Sequence, residues 1–184
     1  MEQLKTYSFV NGAWVEGNPG VIGPMSHASW LGSPVFDGAR IFDNFAPDLS
    51  HHFERVINSA KAMLMEPAVS VQELMGLVED GMKFFPKSTD LYIRPLIWAE
   101  DSMGLLRCDP KSSKYCLTVV HMPLPDDTGF SACLSSFRKP TADSAPTDAK
   151  AACLCLFPRH YQRYLLTIQL MSSRCQKHSF STPF

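Results

Sequence analysis

No apolar run in this 184-residue chain approaches the roughly 20 residues needed to cross a bilayer. Met1-Glu2-Gln3-Leu4-Lys5 also lacks the basic start and apolar core of an export signal. A cytoplasmic protein is therefore expected. Charge of one sign is not in excess: 17 basic against 18 acidic side chains give a net charge of −1 and a pI near 6.6. No general field draws nucleic acid or an anionic membrane, and neither is expected as a partner. Six cysteines are present, but Cys153-Leu154-Cys155 has no second such pair, and His121, His160 and His178 stand at no ligand spacing. Reduced thiols and no metal site follow as the expectation. A further absence is local. Residues 151–184 contain no Asp, Glu or Gly, yet hold Arg159, Arg163, Arg174, Lys177 and three of the cysteines. The first 150 residues carry all 18 acidic and 13 of the 17 basic side chains. A boundary in composition thus falls almost on Lys150.

What is present is enough for a core, with 45% hydrophobic residues. Tyr7–Val10 and Ala13–Val15 flank Asn11-Gly12, whose tolerance of positive φ suits a tight hairpin. Phe53, Val56, Ile57, Ala60, Met63 and Leu64 recur at helical spacing, with Ser50 as the expected cap and Pro67 past the end. Ser70 and Glu73 have capping-box spacing before Leu74, Leu77 and Val78, and this second helix should stop before Pro86. Leu91–Trp98 and Tyr115–His121 read as strands, Pro95 implying an edge or irregular position in the first. Two helices between strands make an α+β domain. Residues 123–129, Pro-Leu-Pro-Asp-Asp-Thr-Gly, have linker chemistry, and residues 132–138 read as the opening of a further strand.

A set of short motifs runs through this framework: Phe9-Val10-Asn11-Gly12 with Trp14, Ser26-His27-Ala28 with Gly32, and Val35-Phe36-Asp37-Gly38-Ala39-Arg40. Next come Arg55 with Ser59-Ala60-Lys61, Tyr92-Ile93-Arg94-Pro95-Leu96-Ile97 and Met103-Gly104. Ser135-Ser136 with Arg138 precede Pro146-Thr147-Asp148-Ala149-Lys150-Ala151. Their order and spacing resemble the branched-chain amino-acid aminotransferases, class IV pyridoxal-phosphate enzymes of fold type IV. D-amino-acid aminotransferases and aminodeoxychorismate lyases share that scaffold. The resemblance implies a small N-terminal α+β domain over residues 1–125 and a linker at 126–131. It also implies the start of the cofactor-binding domain at 132–152, truncated, with an aberrant tail at 153–184.

The resemblance further implies pyridoxal 5'-phosphate as cofactor. Lys150 is then the amine that condenses with its aldehyde and moves the substrate proton. Arg55 is the cation for its phosphate, a planar guanidinium able to give two parallel hydrogen bonds. Phe36 is implied for the apolar side-chain pocket, and Tyr92 and Arg94 for the neighbourhood of the substrate carboxylate. The expected reaction moves the amino group of Leu, Ile or Val to 2-oxoglutarate, and the expected assembly is a homodimer. Read without the family, Lys150 is a solvated lysine, Arg55 a helix arginine paired with a carboxylate, Phe36 and Tyr92 core, and Arg94 a structural cation.

Two departures qualify the resemblance. Leu31 stands where many branched-chain enzymes have tyrosine, and Asp37 where glutamate is common. After Ala152 the pattern changes more deeply: the family has a tyrosine about five residues past the lysine, here Cys155, and later a glutamate for the pyridine nitrogen that this tail does not contain. A shifted reading frame fits, since in another frame Leu170–His178 can encode an Asp-Val…Ser-Glu phrase. The chain as written is therefore expected to be inactive, a non-catalytic fragment of such an enzyme.

Overall fold

The computed structural model describes residues 4–124 and 140–154. The chain opens with a hairpin of β1 (Thr6–Val10) and β2 (Ala13–Glu16). Asn11 and Gly12 have φ of 51° and 83°, the left-handed pair the sequence offers for a tight turn. A short helix α1 (His27–Leu31) follows, capped by Ser26 and closed by Gly32 at φ 68°. It is followed by β3 (Val35–Phe36) and β4 (Ala39–Ile41), then helices α2 (Leu49–Ala62) and α3 (Val71–Met82). The long strand β5 (Leu91–Ala99), a small hairpin of β6 (Ser102–Met103) and β7 (Arg107–Cys108), and β8 (Ser113–His121) complete the layer.

The main sheet has the order β2-β1-β8-β5-β3, with β4 paired to the same side of β5 as β3, and every pairing is antiparallel. Alternation gives it two unlike faces. Leu91, Ile93, Pro95 and Ile97 point to the buried side, where Phe53 and Val56 of α2 and Leu74 and Val78 of α3 meet them in one core. Full burial of a side chain such as Phe53 contributes about 2 to 3 kcal/mol. Tyr92, Arg94 and Leu96 point the other way, to a side that the two long helices leave open.

Three differences from the sequence reading have physical causes. The α2 cap is Asp48, not Ser50: Asp48 follows Pro47 at φ 51° and its carbonyl accepts from His52 N–H, so the helix starts before Ser50. Pro95 lies in a central strand, so of the two expectations the edge fails and the irregular position holds. In an antiparallel strand N and O of one residue face the same neighbour. Pro95 O accepts from Asp37 N–H at 3.2 Å, so the missing donor falls opposite the break between β3 and β4, not toward β8. Finally, α1 and the two- and three-residue strands are too short for periodicity to announce. The Ser70–Glu73 capping box stands as expected, with both reciprocal bonds made.

The segment from 140 returns to this layer. Ala151 bridges Val35, and Ala149 and Ala151 are buried in the same core as the helices. The expected linker and further strand, 126–138, lie outside the described residues, as does all of the expected tail beyond residue 154.

Two glycines of α3 separate packing from propensity. A Cβ on Gly81 would stand 2.6 Å from Trp14 Cη2 and 2.9 Å from Val119 Cγ2, whereas one on Gly76 would meet nothing within 4 Å. In urea unfolding, Gly81→Ala should lower stability by about 1 to 3 kcal/mol, while Gly76→Ala should raise it by about 0.5 to 1 kcal/mol.

Candidate active site

The open side of the sheet gathers four of the five residues singled out in the sequence. Phe36 on β3 lies opposite Leu96, on the same face as Tyr92 and Arg94. Arg94 is exposed, its guanidinium 5.5 Å from the Phe36 ring centre, and Lys150 Nζ lies 5.4 Å from the same ring. Neither cation has an ion-pair partner among the described residues. Tyr92 packs its hydroxyl over Gly38, where any Cβ would collide with it, and Arg40 stands 5.8 Å over the Tyr92 ring while its Nη1 donates to Met122 O. Beside Arg94 a groove of about 240 Å³ is walled by Val10, Val21 and Leu96 with the hydroxyls of Ser8 and Thr118. Cys116 also lines it; burial pushes this thiol up to about 11, against the pull of Arg94, so it stays protonated.

Lys150 is held through its backbone. Its N–H donates to Ser59 Oγ at 2.9 Å, and its carbonyl accepts from Phe36 N–H at 3.1 Å. Ala152 N–H adds a bond to Pro34 O at 2.8 Å. The lysine side chain itself remains exposed. Leu31, at the end of α1, is also exposed, and Gly32 next to it packs on Cys153.

Arg55, the fifth residue, comes from the helix side and is fixed by a carboxylate. Its Nε and Nη2 donate to Asp37 Oδ2 and Oδ1 at 2.6 and 2.7 Å, a bidentate pair. Gly38 N–H and His52 Nδ1 also donate to Asp37 Oδ1, at 2.7 and 2.9 Å. Since a carboxylate only accepts, this arrangement places the His52 proton on Nδ1, and the 3.2 Å approach of Arg55 Nη2 to that atom is not a hydrogen bond. Asp37 is fully buried. Burial pushes its carboxyl up, but the bonds from Arg55, His52 and Gly38 prevail and hold it below the usual carboxylate range. The same pair raises Arg55. Arg55 is half exposed, and its Nη1 has no partner among the described residues. Arg55 thus keeps an uncommitted guanidinium edge on α2, and Lys150 keeps an exposed amine on a backbone anchored to the same helix.

Comparison with known proteins gives the same direction. The family model described as amino-transferase class IV matches residues 34–163, running past Lys150 into the segment read from the sequence as aberrant. The chain belongs to the class IV aminotransferases. That family's cofactor is pyridoxal phosphate; the branched-chain aminotransferases that the chain resembles are transferases of fold type IV, whose α+β small domain this chain contains. A crystal structure of an aminotransferase from Brucella abortus bound to pyridoxal phosphate superposes with a TM-score of 0.83 at 36% identity, over 89% of this chain and 59% of that one. The branched-chain amino acid aminotransferase of Escherichia coli gives 0.69 at 26% identity, over 85% and 54%. A probable branched-chain-amino-acid aminotransferase of Rickettsia typhi is 28% identical over 153 residues, 83% of this chain and 53% of its own length. The chain thus spans about half the length of the curated relatives it matches. Among the described residues no helix is long and apolar enough to cross a membrane.

Sequence reasoning missed Asp37, His52 and Ser59. The first was noted only as a replacement for glutamate; its partners lie on another element. Ser59 left a clue, a hydroxyl on the apolar stripe of α2.

The Asp37 pair should be visible in acid. Its folded carboxyl lies below the ordinary value of 3.8, so its contribution is complete above that pH and is lost as pH falls through the folded value. Thermal melts from pH 7 down to pH 2 should show this loss in the wild type, and Asp37→Asn should remove that part of the slope. At pH 7, Arg55→Gln leaves the buried carboxylate short of a partner and should lower stability by about 2 to 3 kcal/mol, measured by urea unfolding.

Proposed function

We propose that this chain descends from an enzyme that moves the amino group of branched-chain L-amino acids to 2-oxoglutarate with pyridoxal phosphate, in the cytoplasm and as a homodimer, the chain as written being itself inactive. The observation that carries the reading is the delivery of the Lys150 amine, through a clamped backbone, to the open face that holds Phe36, Tyr92 and Arg94. Likeness to several branched-chain aminotransferases supports it.

When bound, pyridoxal phosphate supplies an aldehyde and a conjugated ring that stabilises negative charge at the substrate's Cα. Arg55 would hold the phosphate with its free guanidinium edge, Asp37 fixing the plane of the guanidinium. Lys150 Nζ would hold the aldehyde end and, when free, would take the proton from the substrate's Cα. Phe36 covers the aliphatic side chain. The Tyr92 hydroxyl and Arg94 guanidinium meet the carboxylate, and the apolar walls beside Arg94 suit a branched chain. Each methylene buried there is worth only about 0.8 kcal/mol, so Leu, Ile and Val are weakly discriminated. The homodimer is supported by the exposed apolar residues Trp30, Met103, Leu105 and Leu106, on α1 and on the β6–β7 hairpin that His27 Nε2 of α1 approaches at Leu106 O, 3.3 Å away. The division into a small domain at 1–125, a linker at 126–131, the start of the cofactor domain at 132–152 and an aberrant tail at 153–184 belongs to the same proposal. So does the inactivity of the chain as written.

Turnover with 2-oxoglutarate tests these parts together, using L-leucine or D-alanine as donor and Lys150→Ala as control. Preference for L-leucine that vanishes in the control supports the reaction and overturns the inactivity. Turnover of D-alanine in preference overturns the substrate assignment. No turnover with either donor, together with borohydride-stabilised pyridoxyl modification selective for Lys150, supports the cofactor roles and the inactivity. A Lys150 modified no faster than the other lysines overturns the cofactor roles.

A further inference from the structure

We infer that Ser59 is a positioning residue that fixes the Lys150 Cα relative to the Arg55 guanidinium, so that the amine can reach the aldehyde of a ligand whose phosphate Arg55 holds. The inference rests on the cofactor roles proposed above for those two residues.

Ser59 lies on the core stripe of α2, four residues after Arg55, and is 1% exposed. A hydroxyl buried there needs its bonding roles filled. Its single hydrogen goes to Arg55 O at 2.7 Å, a bond back along the helix, which leaves the oxygen to accept Lys150 N–H at 2.9 Å across 91 residues of chain. On the far side of the lysine, Phe36 N–H takes the carbonyl, and Ala149 and Ala151 seat both flanks in the core. The Lys150 Cα is thereby pinned while the amine points to the open face. Four helical residues rise only about 6 Å. The phosphate cation and the lysine anchor are therefore indexed on one turn of one rigid element, with Asp37 fixing the guanidinium separately. A ligand whose anionic and electrophilic ends are a set distance apart engages both only while the lysine keeps this register. A serine that merely satisfied the core would affect Lys150 equally toward any aldehyde. A positioning serine affects it only toward an aldehyde that carries the phosphate.

The test uses the whole chain and two probes, pyridoxal phosphate and pyridoxal, in separate reactions. Nζ adds to the aldehyde carbon, water leaves as the C=N bond forms, and borohydride reduces that bond to a stable secondary amine. Modification of Lys150 is read by peptide mass spectrometry and divided by that of the exposed Lys83, which cancels the intrinsic reactivity of each aldehyde. The wild type should favour the phosphorylated probe at Lys150 by about tenfold, the worth of one charge-assisted contact. Ser59→Ala should bring that ratio close to one while leaving pyridoxal modification within about twofold of wild type, and Ser59→Thr, which keeps the hydroxyl, should restore it. Ser59→Cys, nearly isosteric but with a weak acceptor, should fail like alanine and serves if the alanine variant does not fold. A preference kept in folded Ser59→Ala or Ser59→Cys, or an equal loss with both probes, overturns the inference alone. A wild type without any preference overturns it together with the cofactor roles.

Discussion

A carboxylate with no access to water has to be matched on nearly every lone pair, and in this domain Asp37 is that group. Arg55 takes both its oxygens from α2, His52 adds a bond from the same helix, and the next amide in the chain, Gly38, closes the set. The consequence reaches beyond the ion pair. The helix is keyed to the break between β3 and β4, the guanidinium is turned so that one edge remains outward, and the Gly38 backbone is brought where the Tyr92 hydroxyl can rest on it. Removing the carboxylate would release a cation and a phenol together.

The strand opposite that break explains why it can exist. β5 carries proline at the one place where its neighbouring chain interrupts its pairing, so no donor is left waiting there. Asp37 N–H still finds Pro95 O, and the side chain turns inward rather than onto the open face that Phe36 and Arg40 occupy on either side.

Much of this was legible in the sequence where local chemistry dominates. Asn11-Gly12 announced its turn, and Ser70 with Glu73 announced the start of α3. Leu91–Trp98 read as a strand, and the alternation of that strand puts Tyr92 and Arg94 on one face. The motif order named Phe36, Arg94 and Lys150, and the structure brings both cations to the Phe36 ring. What stayed hidden depends on distance in the chain. The partner of Arg55 lies 18 residues earlier on a different element, so spacing along α2 had nothing to say of it. The bond from Ser59 to Lys150 spans half the molecule, and no periodicity records it. The α2 start was misplaced at Ser50 because a good capping residue is no guide when the backbone at Asp48 already breaks the helix.

Lys150 combines a fixed backbone with an unfixed side chain. Its amide groups and flanking alanines leave the Cα little freedom, yet four methylenes and an amine extend into solvent without an ion-pair partner among the described residues. Side-chain rotamer entropy of about 2 kcal/mol is therefore retained in the unliganded chain and surrendered only when the amine is engaged. Folding determines where the lysine is rooted. Its final direction is left to whatever it binds, so the tip can adapt to more than one position without moving its root.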